Sequence, residues 1–142
     1  MRALFTDTSF FIALLNPKDQ LHGLARETRQ RLRPFLLVTT EMVLTEFLND
    51  VCGRDERTRA SASSFVEQLH EGSRTDPAVI VPQTHEQFVA ACRVYAERPD
   101  KGWSLTDCAS YLTMRSQDIN EALTQDRHFE QMGFRALLRA DA

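Results

Sequence analysis

A chain of 142 residues lies within the roughly 100–200 residues of one domain and is long enough to bury a single core without covalent staples. Hydrophobic residues at 42% and charged residues at 26% are ordinary globular proportions, which exclude a disordered chain. A formal net charge of −3 excludes attraction of nucleic acid by bulk positive charge.

Cys52, Cys92 and Cys108 are widely separated, and His22, His70, His85 and His128 are not at zinc-ligand spacing. That pattern argues against a disulfide framework or a structural zinc site and fits reduced thiols in the cytoplasm. The N-terminus reaches Asp7 before an apolar h-region of about 7–15 residues can form. No run approaches the roughly 18 apolar residues of a membrane span. A cytoplasmic protein with no membrane partner is expected.

Residues 3–6 read as a buried strand, followed by a helix over 10–15. Asn16-Pro17-Lys18-Asp19 breaks that helix, because proline cannot continue an interior hydrogen-bond ladder. A second helix is predicted over 20–33, ended by Pro34, with a strand over 35–38. Helices are predicted over 41–51 and 56–70, the latter stopping near Gly72. A third strand over 78–81 closes at Pro82, and a helix spans 85–97. The loop 98–102 leads into a helix over 104–115. A fourth strand is predicted over 121–124 and a short fifth over 134–138. Strands separated by helices imply βαβ units. The predicted fold is therefore α/β: one domain over 1–142 with about five mainly parallel strands flanked by helices on both faces.

In such a sheet, ligands bind beyond the carboxyl ends of the strands, and four carboxylates draw attention. Asp7 directly follows the first strand, where an N-cap for the next helix is its ordinary role. Glu46 lies in a helix whose core stripe is Leu44, Phe47, Leu48 and Val51. At about 100° per residue it falls outside that stripe, near Met42, Asn49 and Asp50. Asp107 stands three residues after Ser104 in a pattern like a capping box. The predicted stripe of that helix is Leu105, Cys108, Ala109 and Leu112, with Asp107 phased away from it. Asp126 follows the fourth strand, where an Asx turn is the ordinary explanation.

Singly, each acid is a cap, a turn or a solvated side chain. Together they form a set in which two stand at strand ends and two face away from helix cores toward one cleft. Gathered carboxylates repel, and each raises the cost of ionising its neighbours. A divalent cation removes that cost, and hard oxygen ligands select Mg²⁺ or Mn²⁺. One or two such ions activate water and stabilise the leaving oxygen of a phosphodiester.

These residues lie in motifs that resemble a known family. Leu4-Phe5-Thr6-Asp7-Thr8-Ser9-Phe10 resembles the opening motif of PIN-domain proteins, and Thr45-Glu46-Phe47-Leu48 their second acidic motif. Ser104-Leu105-Thr106-Asp107-Cys108-Ala109-Ser110 resembles the third. Ala122-Leu123-Thr124-Gln125-Asp126-Arg127-His128-Phe129 is similar to the fourth, in the form common among bacterial toxin ribonucleases of the VapC type. The segment from about Cys52 to Glu97 matches only in helix–strand–helix outline. The resemblance implies a parallel sheet of about five strands and Mg²⁺- or Mn²⁺-dependent hydrolysis of single-stranded RNA. It further implies a homodimer and inhibition by a cognate antitoxin. Asp7, Glu46, Asp107 and Asp126 would be catalytic residues and metal ligands, with Thr8, Ser9 and Thr106 as supporting hydrogen-bond donors.

Two other readings make different demands. A Mg²⁺-binding phosphotransfer or signalling domain using Asp7 as acceptor expects paired aspartates after the first strand, where this chain has Asp7-Thr8-Ser9. A catalytically silent PIN fold used for association expects neutral substitutions at the four acids.

Other features carry double readings. Arg26, Arg29, Arg31 and Arg33, and then Arg54, Arg57 and Arg59, fit either phosphate contact or solvated helix faces. Trp103 suits either base stacking or anchoring of a helix start, and His128 either proton donation or a turn. The first helix, with Phe10, Phe11, Ile12, Leu14 and Leu15, is apolar enough for a core contact and an association surface together.

Overall fold

The computed structural model describes residues 1–139, so the last three positions of the expected domain lie outside the described residues. Among those described, five strands and seven helices follow the predicted alternation. They are β1 (Ala3–Thr6), α1 (Thr8–Leu15), α2 (His22–Leu32), β2 (Leu36–Thr40), α3 (Glu41–Val51) and α4 (Glu56–Glu71). Then come β3 (Ala78–Val81), α5 (His85–Glu97), α6 (Leu105–Ser116), β4 (Glu121–Leu123), α7 (Arg127–Gln131) and β5 (Arg135–Ala136).

All strand pairs are parallel, in the order β3-β2-β1-β4-β5. The chain begins in the middle of its sheet, winds outward to one edge, then crosses back to build the other. The crossing point falls between β1 and β4, and a crevice beyond the carboxyl ends of a doubly wound sheet opens at such a reversal.

Alternation along β1 sends Leu4 and Phe5 to opposite faces of the sheet. Phe5 joins Val38, Phe47, Cys108, Met114, Ala122 and Phe129 in one core, and Leu4 joins Phe10, Ala25, Phe35, Leu123 and Leu138 in the other. Helix α1 serves both, with Phe10 and Ala13 in the second core and Phe11 in the first. Phe10, Phe11 and Ala13 are fully buried, so its unusual apolarity reflects a helix packed on two sides. Phe11, Phe47 and Phe65 meet as tilted and edge-on ring pairs 5.6–6.2 Å apart, a favourable aromatic arrangement.

Three features depart from expectation beyond shifts of a residue or two at helix ends. Strand β2 runs on to Thr40, because Thr39 and Thr40 are β-branched and Thr39 Oγ1 donates to the Thr6 carbonyl at 2.8 Å. Thr40 then caps α3, its hydroxyl accepting from the Val43 N–H. The fifth strand is shorter than predicted, although the Leu137 and Leu138 amides still donate to Ala122 and Thr124 carbonyls. Helix α7 is absent from the sequence reading. It spans five residues, less than two turns, too few to show a 3.6-residue period, and Gly133 at φ 94 turns the chain out of it into β5.

Candidate active site

Three of the four predicted acids meet at the β1/β4 crossing. Asp7 follows β1 at the N-cap position of α1 but makes no side-chain capping bond. Its carboxylate turns toward β4, where Thr124 Oγ1 donates to Asp7 Oδ2 at 3.0 Å. The backbone expectation holds, because the Phe10 and Phe11 amides donate to the Asp7 carbonyl. The side-chain expectation does not.

Asp107 and Asp126 do both jobs. In α6, Ser104 Oγ accepts from the Asp107 N–H and Asp107 Oδ2 accepts from the Ser104 N–H, each at 3.0 Å, a closed capping box. Asp126 Oδ1 accepts from the His128 N–H at 2.9 Å and so caps α7. His128 Nδ1 then lies 3.0 Å from Asp107 Oδ2 and 3.3 Å from Asp126 Oδ1. A carboxylate oxygen only accepts, so the ring nitrogen donates there. Donor atoms of Asp107, Asp126 and His128 all lie within 4.8 Å of one another.

The buried face of α6 is wider than the predicted stripe. Asp107 is itself buried, beside Cys108, Ser110, Thr113 and Met114, whereas Leu105 and Leu112 are only half-buried. A polar face can be buried here because its groups are satisfied locally: Ser110 Oγ donates to the Thr106 carbonyl, and Asp107 is held by the cap. The predicted stripe is in the core, with Cys108 and Ala109 buried and Leu105 and Leu112 packed against it, and apolarity alone missed that the polar positions beside it are buried too.

Glu46 occupies the adjoining cleft. It is half-exposed and lines that space with Met42, Thr45, Asn49, Gln83 and Thr106. Thr106 immediately precedes Asp107, so α3 and α6 together form this wall. Of the expected supporting residues, Ser9 Oγ lies 3.4 Å from Thr124 Oγ1 and extends the chain that ends on Asp7. The hydroxyls of Thr6 and Thr8, flanking Asp7, are buried without a hydrogen-bond partner among the described residues.

Burial sets the electrostatics. Asp7 is 6% exposed, and loss of hydration pushes its pKa up to about 7. The Thr8 N–H and Thr124 hydroxyl work against that rise, and the charges of Asp107 and Asp126 add to it. Asp107 is also raised, again chiefly by burial and next by Asp126, while the Ser104 N–H and His128 oppose it. Among the described residues, no lysine or arginine pairs with Asp7, Asp107 or Asp126.

Each of the three carboxylates has one oxygen engaged by protein donors: Asp7 Oδ2, Asp107 Oδ2 and Asp126 Oδ1. In Asp107 and Asp126 no described protein hydrogen bond falls on the other oxygen. Uncompensated acids with one oriented oxygen each, beside orphaned hydroxyls, fit a hard divalent cation. His128 adds a nitrogen that suits Mn²⁺ better than Mg²⁺ if it ever ligates directly.

Thr124 and His128 were the residues that sequence reasoning undervalued. Thr124 and Asp126 stand two positions apart beyond β4, the spacing that keeps side chains on one face of an extended chain, and His128 follows in the first turn of α7. The basic clusters resolve differently. Arg29 and Arg33 pair with Asp76, Arg54 with Asp50, and Arg59 donates to the Cys52 carbonyl, so these four are engaged in holding the fold. Trp103 is 6% exposed and donates from Nε1 to Gln131 at 3.0 Å, anchoring the α6 start to α7.

The sequence profile of the PIN domain matches residues 4–135. Over 134 residues the chain is 29% identical to the 23S rRNA-specific endonuclease VapC20 from two strains of Mycobacterium tuberculosis, spanning 92% of this chain and 95% of that protein. The crystal structure of Mycobacterium tuberculosis VapC20, described as a Sarcin-Ricin loop cleaving toxin, matches with a TM-score of 0.78 at 25% identity. It covers 92% of this chain and 95% of the other. The structure of FitAcB from Neisseria gonorrhoeae matches with a TM-score of 0.62 at 16% identity, over 94% and 95% of the two chains, a likeness of fold.

Proposed function

This chain belongs to the PIN domain family, and we propose that it is a divalent-metal-dependent endoribonuclease acting on single-stranded RNA. The observation that carries the proposal is the trio of carboxylates at the β1/β4 crossing, Asp7 and Asp107 buried and Asp126 half-buried, none paired with a lysine or arginine among the described residues and each with one oxygen engaged by the protein. Asp7, Asp107 and Asp126 hold Mg²⁺ or Mn²⁺, and Glu46 acts from the adjoining wall. An RNA loop of the kind cut by VapC20 is the substrate class that its resemblance to that endonuclease supports. On the same ground the protein is the toxin of a toxin–antitoxin pair, a homodimer in the cytoplasm, silenced by a cognate antitoxin. No helix among the described residues is long and apolar enough to cross a membrane.

Bound at this site, a divalent cation supplies Lewis-acid polarisation of a phosphodiester and lowers the pKa of water. The residues supply orientation. Thr124 fixes Asp7 through Oδ2, the Ser104 N–H and His128 fix Asp107, and the α7 cap fixes Asp126. Ligands held by outer hydrogen bonds bind more tightly than free ones, because less rotamer freedom is lost. Burial raises the Asp7 pKa to about 7, so a cation held there would compete with a proton near neutral pH. Glu46, less buried and across the cleft, is suited to accept the proton of an attacking water.

The test is incubation of purified protein with total RNA in Mg²⁺, in Mn²⁺ or in EDTA, beside the Asp7→Asn variant. Cleavage restricted to the metal-containing wild-type samples is expected. Cleavage that survives both chelation and substitution sinks the metal–carboxylate mechanism, and no cleavage of any RNA shifts the reading to a fold used only for association.

A further inference from the structure

The turn between α5 and α6 builds a second feature that the carboxylate site does not use. Tyr95, Ala96, Arg98, Pro99, Gly102, Trp103 and Ser104 line an open cleft of about 590 Å³, within the roughly 300–1,000 Å³ range of small-ligand sites. Its wall is aromatic and unusually wet: Tyr95 is 57% exposed. Its floor is Trp103, immobilised by Gln131 and by Tyr111 at a ring separation of 5.9 Å. Its rim carries Arg98, with Lys101 next to the lining Gly102. Arg98 forms no ion pair among the described residues, and Lys101 makes only a long 3.9 Å contact with Asp100. The acids near this rim are Glu97 and Asp100, and both are exposed.

The cleft is tied to the carboxylates on two sides. Ser104, one of its lining residues, donates its N–H to Asp107 Oδ2. Gln131, which holds the Trp103 floor, sits on α7, the helix that carries His128. The cleft therefore borders the residues that position Asp107 and His128, and it sets an aromatic wall and a guanidinium on that side of the site.

Resting on the nuclease reading, we propose that this cleft is a nucleobase subsite, in which Tyr95 stacks a base flanking the scissile bond and Arg98 contacts its phosphate. Stacking on an aromatic ring tolerates any base, whereas the guanidinium demands an anionic backbone. The pairing selects single-stranded nucleic acid over a free base or a bare anion. The sequence left Trp103 between base stacking and anchoring of a helix start. Its burial makes it the floor, and exposure passes the stacking surface to Tyr95.

The chain contains a single tryptophan, and it lies in this cleft, so its fluorescence reports occupancy. Titration with a hexamer of oligoadenylate in EDTA and low salt, where metal-dependent cleavage cannot run, is expected to give saturable quenching. Tyr95→Phe keeps the affinity, Tyr95→Ala weakens it by about tenfold, and Arg98→Gln weakens it and flattens its salt dependence. Phe88→Ala, removing another exposed aromatic of α5 that does not line the cleft, leaves binding unchanged. Matching thermal unfolding of the variants excludes a folding defect as the cause. Equal affinity of Tyr95→Ala and wild type, an equal loss in Phe88→Ala, absence of saturable quenching, or equal quenching by a hexaglutamate peptide each overturns the subsite. Quenching as expected without any RNA cleavage in Mg²⁺ or Mn²⁺ overturns the nuclease reading and leaves the subsite standing, so the two failures are distinguishable.

Discussion

The two ends of this parallel sheet carry acids in opposite electrostatic circumstances. At the amino end, Glu121 is gripped by Arg2 through two bonds of 2.9 and 2.8 Å and approached by Arg135 at 3.7 Å. Asp76, just ahead of β3, is held by Arg33 and approached by Arg29 at 3.6 Å. Both acids are pushed below their ordinary pKa values, by hydrogen bonding to those arginines and by their charge. At the carboxyl end, Asp7 and Asp107 are pushed up, by burial first and by neighbouring acids next. The same chain thus neutralises its acids where they join strands together and leaves them uncompensated where the sheet opens. An edge that bears such a cost without a protein cation is built to receive one from solution.

Three substitutions, read by four measurements, test that contrast. The largest effect is expected from Asp7→Asn on RNA cleavage: a loss of roughly 10²-fold or more, since even the outer partners of metal ligands are worth 10–100-fold. Gel assays with Mg²⁺ would measure it, and near-normal cleavage would break the contrast at its open end.

The same variant is expected to stabilise the metal-free protein. Folded Asp7 holds its proton to about pH 7, whereas its ordinary value is 3.8, so folding takes up a proton between those values. Stability therefore falls as pH rises through that window. Removing the charge should raise stability by a few kcal/mol at pH 8, with the gain fading toward pH 4. Urea unfolding in EDTA at pH 4, 6 and 8 reads it, and a gain that grows toward acid contradicts the sign.

His128→Ala should lower Mn²⁺ affinity by roughly 10–100-fold, measured by calorimetric titration, because Asp107 and Asp126 lose the donor between them. Retention of wild-type affinity would reduce His128 to a cap of no consequence to the site. Smallest of all, Arg33→Ala should cost below about 1 kcal/mol, since both Arg33 and Asp76 remain about a third or more exposed. That loss should shrink in high salt and leave cleavage unchanged. An effect on cleavage would mean that the paired end communicates with the open one.

How much of the site was visible in advance depends on the residue. Asp107 was legible twice over, because Ser104-x-x-Asp107 is a local pattern and the capping box closes as that pattern predicts. Its burial was not legible, because the buried face of α6 is wider than the apolar stripe from which it was inferred. Asp7 was legible by position and misleading by type: an aspartate before a helix normally caps, and this one spends its carboxylate on Thr124 instead. Thr124 and His128 looked like turn residues, and only their contacts across 117 and 21 positions of chain give them a place in the site.

Local sequence encodes the alternation of strands and helices, since hydrophobic periodicity and the prolines at 17, 34 and 82 act within a few residues of each other. It encodes as well that acids stand at strand ends and helix starts, which is local information. Tertiary structure alone decided which of those acids meet. Strand order places β4 beside β1 although 117 residues separate Thr124 from Asp7, and no local propensity encodes that neighbour. It also decided their ionisation, because burial is the largest cause of both raised pKa values and burial is a property of the packed chain.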